Sequence, residues 1–286
     1  MIIARTVSQT RKAVKQARKR GKTIGLIPTM GALHKGHISL IKASLKETGF
    51  SAVSIFVNPL QFSPNEDFKK YPRKFSADEK LLKKTGVNLL FYPSVDTIYH
   101  PNHSVYVEET SLTNFLCGKS RPGHFKGVAT VVAKLFNIIQ PDIAFFGQKD
   151  YQQAQIIKRV TTGLNFPVKI KVMPIIREKD GIAMSSRNAY LNTQERKDAL
   201  ALYQSLKLAE KLAKNGCKDS GIIKRKVRTL IKAKKSARID YVEITDIETL
   251  RPLKQIEDKA LLGLAVFIGK TRLIDNTILR TKRHIR

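Results

Sequence analysis

The sequence predicts an α/β protein: a parallel sheet with flanking crossover helices over residues 1–175, then a smaller α+β C-terminal domain over residues 176–286. Two observations carry this. Short apolar runs of strand length alternate with amphipathic helical stretches up to about Val172, the pattern of a parallel sheet wound with helices. Beyond about Ile176 the texture changes to long exposed helical stretches and two further strand-like runs. With 286 residues, 42% of them apolar, the chain has enough material for a sizeable core.

The elements follow in order. Thr6–Arg20 reads as a helix with Val7, Val14 and Ala17 on one side. Thr23–Pro28 is a buried strand, followed by a Gly- and His-containing turn and a helix through about Lys46. Ala52–Val57 is a second buried strand, ended by Asn58-Pro59. Ser76–Lys84 is helical, with Ser76 as N-cap and Glu79 at the capping-box position. Asn88–Tyr92 is a third strand, Val128–Ile139 a strongly apolar helix, Asp142–Phe146 a strand, Asp150–Val160 a helix and Pro167–Val172 the last strand of the series. In the second domain Thr193–Lys214 and Gly221–Lys234 read as helices, and Ile239–Ile244 and Leu261–Ile268 as strands. There is no internal repeat, heptad run or low-complexity linker.

Composition narrows the class. No window approaches the ~20 uninterrupted apolar residues of a membrane span, so no membrane partner is expected. Met1–Ala4 leads into a basic amphipathic stretch, not an apolar leader segment. Cys117 and Cys217 have no metal spacing and read as free thiols in a reducing cytoplasm. The formal charge of +30 invites a nucleic-acid reading. It is spread along the chain, however: 27 Lys+Arg against 10 Asp+Glu in residues 1–175, and 26 against 13 in the rest. The clusters at Arg11–Lys22, Lys224–Lys235 and Arg280–Arg286 lack the interleaved aromatics that stack bases. The expectation is therefore a whole-proteome surface bias with modest long-range attraction of anionic substrates, and no nucleic-acid partner.

Three constellations carry chemistry. The segment Pro28–Leu40, P-T-M-G-A-L-H-K-G-H-I-S-L, leaves a strand and opens a helix. Unpaired N–H groups and the helix dipole make such a turn an anion site. Gly31 and Gly36 permit close approach of a phosphate or base, and His34 and His37 share one side of the first turn, where they can donate to phosphate oxygens. The stretch around Ser185, Ser186 and Arg187 places two hydroxyls beside a guanidinium, with Gly181 as a candidate hinge. The third group follows strands: Gln61, whose amide could bond a carboxylate and a hydroxyl, and Gly147-Gln148-Lys149-Asp150, with Gln153 one helical turn beyond Lys149. Asp150 could cap the helix, help hold a metal–nucleotide complex, or do both; spacing favours the cap.

The H-x-G-H spacing between a strand and a helix resembles the nucleotidyltransferase superfamily, which attacks the α-phosphate of a nucleoside triphosphate. More narrowly, P-T-M-G-A-L-H-K-G-H, F-V-N-P-L-Q-F, R-P-G-H-F-K-G-V, P-D-I-A-F-F-G-Q-K-D-Y-Q-Q, D-G-I-A-M-S-S-R-N and R-L-I-D-N together resemble the pantothenate synthetase (pantoate–β-alanine ligase) family. That resemblance implies a Rossmann-like first domain, a C-terminal lid domain and a homodimer. It implies ATP-dependent condensation of pantoate with β-alanine through a pantoyl-adenylate, with Mg²⁺ accompanying the nucleotide and no side chain assigned as its ligand. His37 and His34 become the active-site histidines, and Met30, Gly31, Ala32, Leu33, Lys35 and Gly36 complete the nucleotide segment. Further nucleotide contacts fall on Gly147, Gln148, Lys149 and Asp150, on Ile176 through its backbone, and on Met184, Ser185, Ser186 and Arg187. Gln61 and Gln153 become pantoate-binding, and Gln61 also lies near the β-alanine position. The rivals are a cytidylyltransferase, which leaves a nucleotide on its product, and a basic RNA-binding module.

Overall fold

A computed structural model describes residues 1–64 and 66–281, and by contact it divides into two compact units. The first comprises residues 1–110, 121–148 and 153–174; the second comprises 111–120, 149–152 and 175–286. The last five residues of the Arg280–Arg286 basic cluster fall outside the described residues.

The first unit holds a six-stranded sheet: β1 (Ile2–Ala4), β2 (Ile24–Thr29), β3 (Phe50–Ile55), β4 (Leu89–Phe91), β5 (Ile143–Gly147) and β6 (Lys169–Met173). The strand order is β1-β4-β3-β2-β5-β6, and every pairing is parallel. All six residues of β3 and five of the six in β2 are buried, as strands covered on both faces must be. Helices α1 (Val7–Lys19), α2 (Lys35–Glu47) and α3 (Phe75–Thr85) cross over between strands, with the single-turn α4 (Val95–Ile98) after β4. Ile27, Val53, Leu90 and Phe145 meet Leu40, Ile41 and Leu82 in one core layer. The short helix α5 (Leu116–Ser120) belongs to the second unit. Back in the first unit, α6 (His124–Ile139) is buried on nearly every side and packs against α1 and β2, while α7 (Tyr151–Gly163) leads to β6.

The second unit is built on an antiparallel sheet of β7 (Ala237–Thr245), β8 (Lys259–Ile268) and β9 (Thr271–Arg280), in that order. Helices α8 (Thr193–Lys214) and α9 (Ser220–Lys232) pack on it, and Leu202, Leu206, Ile223, Val227, Val242 and Leu264 lie in its core. The α/β class expected from the sequence is thus the observed one. Among the described residues no helix is long and apolar enough to cross a membrane.

Local differences have local causes. The N-cap of α3 is Lys74, which makes no side-chain cap bond, so Ser76 and Glu79 lie inside the helix and form no capping box. Phe75 is drawn into the first turn by its ring contact with Tyr92 (4.4 Å between centroids), and Glu79 pairs with Lys83 at 2.6 Å. Strand β3 begins and ends two residues earlier than its apolar run suggests, because its parallel register with β2 runs from Ile24↔Phe50 to Thr29↔Ile55. Strands β1 and β9 had no counterpart in the sequence reading: one has three residues, and the other carries Asp275 and Asn276 in mid-strand.

Candidate active site

Strands β2 and β5 are neighbours in the sheet, and from β2 the chain continues to β3 on the other side. Ligands of open α/β sheets bind at such a reversal, beyond the carboxyl ends of the strands. Met30–His34 leaves β2 at this point and enters α2. Gly31 (φ 84°) and Ala32 (φ 48°) are both left-handed. Their turn is held by the Asp78 carboxylate, which accepts the Ala32 and Leu33 N–H groups at 2.8 Å each.

His34 is the N-cap of α2. Its Nδ1 accepts the Gly36 N–H at 3.1 Å, and its own N–H donates to His37 Nδ1 at 3.3 Å. This is a capping box written in histidine. It has a chemical consequence: with both Nδ1 atoms accepting, each neutral ring carries its proton on Nε2. The two rings lie 4.1 Å apart. Two Nε2–H donors therefore stand beside a helix N-terminus, a donor set suited to phosphate oxygens.

Gln61 closes the 3₁₀ turn Pro59–Gln61. Its Oε1 accepts from Asn58 Nδ2 at 3.1 Å, and its Nε2 lies 3.1 Å from Met30 Sδ. That orients the amide and joins it to the nucleotide segment. The backbone of the turn is gripped from α6 and the loop before it. His124 Nδ1 donates to the Gln61 carbonyl at 2.7 Å, Arg121 Nη2 donates to the same oxygen at 3.2 Å, and Arg121 pairs with Glu66 through two bonds of 2.6 Å. Burial alone would raise the Glu66 carboxyl; the Arg121 bonds and charge hold it below its ordinary value. Gly147 ends β5 and Gln148 follows it in the same unit, and Gln153 lies half-buried in the first turn of α7.

In the second unit, Lys149 and Asp150 lie in the 3₁₀ turn Gln148–Asp150. The α-helical spacing expected between Lys149 and Gln153 therefore does not hold. Nor does the Asp150 cap: its carboxylate lies 3.8 Å from Lys149 Nζ and accepts no helix N–H among the described residues. The Lys149 carbonyl is held by Asn276 Nδ2 at 2.9 Å. Next to it the Asp275 carboxylate accepts two bonds from Arg177 (2.6 and 3.1 Å), and Arg177 Nη1 donates to the Gly181 carbonyl at 3.0 Å. Burial pushes the Asp275 carboxyl up against the pull of Arg177. Thus R-L-I-D-N, legible in the sequence only as a family motif, ties Lys149 and the Ile176–Met184 hairpin to β9. The Met184 N–H closes that hairpin on the Ile176 carbonyl at 3.0 Å. Ser185 caps the following 3₁₀ turn by accepting the Arg187 N–H at 3.2 Å, and Ser186 and Arg187 lie within that turn.

Within the first unit, Met30–His37 and Gln61 come together; within the second, Lys149, Ile176 and Met184–Arg187 share one bonded framework. Asp78, Arg121, His124 and Glu66 were missed as site residues. R-P-G-H pointed at two of them, whereas Asp78 acts across 46 residues of sequence and leaves no local signal. Among the described residues no cluster of three or more His, Cys, Asp or Glu is arranged to hold a metal.

A parallel α/β sheet with an H-x-G-H helix entry at its reversal point defines a nucleotidyltransferase-type enzyme. The comparisons are more specific. The family model for pantoate-beta-alanine ligase matches residues 2–278. Pantothenate synthetase of Thermotoga petrophila is 51% identical over 279 residues, covering 98% of this chain and all of the relative. That of Moorella thermoacetica is 50% identical, covering 98% and 99%. The crystal structure of pantothenate synthetase from Thermus thermophilus superposes with a TM-score of 0.92 at 41% identity, covering 97% of this chain and 99% of that one. Pantoate-beta-alanine ligase from Francisella tularensis, complexed with beta-gamma ATP and beta-alanine, superposes at 0.81 with 36% identity, covering 97% of each chain. The chain belongs to the pantoate–β-alanine ligase family.

Proposed function

We infer that this chain condenses pantoate with β-alanine at the expense of ATP. A pantoate carboxylate oxygen attacks the α-phosphorus, the bond to the bridging oxygen breaks and pyrophosphate leaves. The β-alanine nitrogen then attacks the acyl carbon of pantoyl-adenylate. The C–O bond to AMP breaks, the nitrogen gives up a proton, and pantothenate and AMP result. The observation that carries the reading is the pair of Nε2–H donors set by the His34–His37 capping box at the start of α2.

Such donors act by electrostatic stabilisation of the phosphate as charge shifts toward the leaving oxygen. Met30–His37 are proposed to bind the nucleotide, together with Gly147–Asp150, the Ile176 backbone and Met184–Arg187. Gln61 and Gln153 are proposed to hold pantoate, and Gln61 also to meet β-alanine. Mg²⁺ is proposed to arrive on the nucleotide, since this ion is commonly bound through substrate phosphates and water, not in an all-protein cage. A homodimer in the cytoplasm is proposed as well; the free thiols Cys117 and Cys217 suit a reducing compartment.

The test is exchange of labelled pyrophosphate into ATP. Wild type should exchange only when pantoate is present, without β-alanine, and then convert ATP to AMP when β-alanine is added. His37→Ala should stay folded and lose on the order of 10²–10³ in rate, the scale of one stabilising donor. Pantoate-independent exchange, or none, would sink the function; a folded His37→Ala with normal exchange would remove the histidine from it.

A further inference from the structure

We propose that Asp78 is a positioning residue for the nucleotide reaction, its carboxylate holding the Gly31–Leu33 turn in the conformation that presents His34 and His37. The proposal rests on the nucleotide reading of that turn.

Asp78 stands in the first turn of α3 and is 3% exposed. An acidic side chain there would ordinarily serve its own helix terminus. This one instead reaches the loop after β2, where Oδ2 takes the Ala32 N–H and Oδ1 the Leu33 N–H, both at 2.8 Å. Two successive N–H groups converging on one anion form a backbone nest, here filled by the protein itself. The nest exists because Gly31 and Ala32 are both left-handed, a conformation Ala disfavours and adopts only when its surroundings impose it. Contact is close: a Cβ on Gly31 would lie 3.0 Å from Asp78 Oδ2. The residue after this turn is His34, whose N–H and Nδ1 build the histidine capping box. Moving the turn therefore moves both imidazoles.

The site keeps a charge that burial resists. Desolvation pushes the Asp78 carboxyl up, against the two backbone bonds and the nearby Lys74 that pull it down. The net folded value is raised, so ionised Asp78 weighs against folding at neutral pH, a cost relieved as pH falls through that value. A carboxylate is retained because only it offers an acceptor to each N–H. An amide or a protonated acid turns one of the two oxygens into a donor facing a donor.

Asp78→Asn has the same shape and separates positioning from folding. In the full-length protein its thermal midpoint should stay close to that of wild type, because the amide relieves the buried charge. Its kcat/KM for ATP in pantoate-dependent exchange should fall on the order of 10²-fold, the scale of a misplacement of about 1 Å at a reacting site. The KM for β-alanine should not change. Asp78→Ser, which keeps one acceptor, should fold and show the same split. Wild-type ATP kinetics in Asp78→Asn would overturn the proposal. So would a uniform loss in every constant with a lowered midpoint, or failure of both variants to fold, since Asp78 would then be a folding residue. If wild type itself shows no pantoate-dependent exchange, the proposed function fails separately. Calorimetric ATP binding, weaker in Asp78→Asn than in wild type, still decides the positioning claim.

Discussion

Helix α6 meets the turn that carries Gln61 at Gly127, and no other residue fits there. A Cβ at this position would lie 2.3 Å from the Leu60 oxygen and 2.7 Å from the Gln61 nitrogen. These are backbone atoms and cannot swing aside as a side-chain tip can. The Gly127 carbonyl also accepts from Asn58 Nδ2 at 3.0 Å, and Asn58 in turn is bonded to the Gln61 amide and to Tyr99 OH. Gly127→Ala should therefore push the turn off the helix while leaving the bonds of the His34–His37 box in place. The expected outcome is a rise in the KM for pantoate, with a loss on the order of 10²-fold in kcat/KM, and ATP affinity unchanged by calorimetry. Unaltered pantoate kinetics in this variant would argue that Gln61 does not hold pantoate. Gly31 was expected to let a ligand approach; its left-handed φ and its contact with Asp78 already require glycine.

The Ile176–Met184 hairpin makes the corresponding point for an element. Gly181 at φ 100° sits so close to Tyr203 that a Cβ would be 2.2 Å from the ring carbon Cδ1. The Arg177 guanidinium stacks over the same ring at 4.7 Å while bonding Asp275. Close packing and backbone conformation thus call for glycine at this position whether or not it also serves as a hinge. Gly181→Ala should lower stability by about 1–3 kcal/mol in chemical denaturation, the range for overpacking, and Tyr203→Leu in that background should recover part of the loss; an unchanged midpoint would contradict the packing account. Elements of this unit were unequally legible. Helix α8 was readable at both ends, because Asn192 and Glu195 form a capping box and left-handed Gly216 follows the C-cap. The buried parallel strands were readable as apolar runs. Strand β9 was not, because Asp275 and Asn276 break its apolar pattern to bond Arg177 and the Lys149 carbonyl. The H-x-G-H turn was legible because all its parts are local in sequence, whereas the Asp78 and Glu66 contributions arise only when the chain folds.

At the scale of the whole molecule, the charge has to be accounted for. If each of the 23 carboxylates neutralised one of the 53 Lys and Arg, thirty cations would still stand over. Both halves of the sequence carry the excess, so no single patch accounts for it. Exposed pairs such as Lys126–Glu108 at 3.4 Å are of the kind that contributes little to stability. The excess acts instead as a long-range positive potential, and the two substrates proposed to react first, ATP (also as its magnesium complex) and pantoate, are negative. Such a potential raises encounter rates and is screened beyond a Debye length of about 8 Å at physiological ionic strength. The bonds that hold a docked phosphate lie well inside that distance. Raising ionic strength from roughly 0.02 to 0.3 M should therefore lower kcat/KM for ATP by about tenfold, the low end of electrostatic steering, and leave kcat at saturating ATP nearly unchanged. The KM for β-alanine, whose zwitterion carries no net charge, should move little. A kcat that fell in parallel with kcat/KM would place the cations in the chemistry instead of the approach, and a flat profile would leave the +30 charge without a part in this reaction.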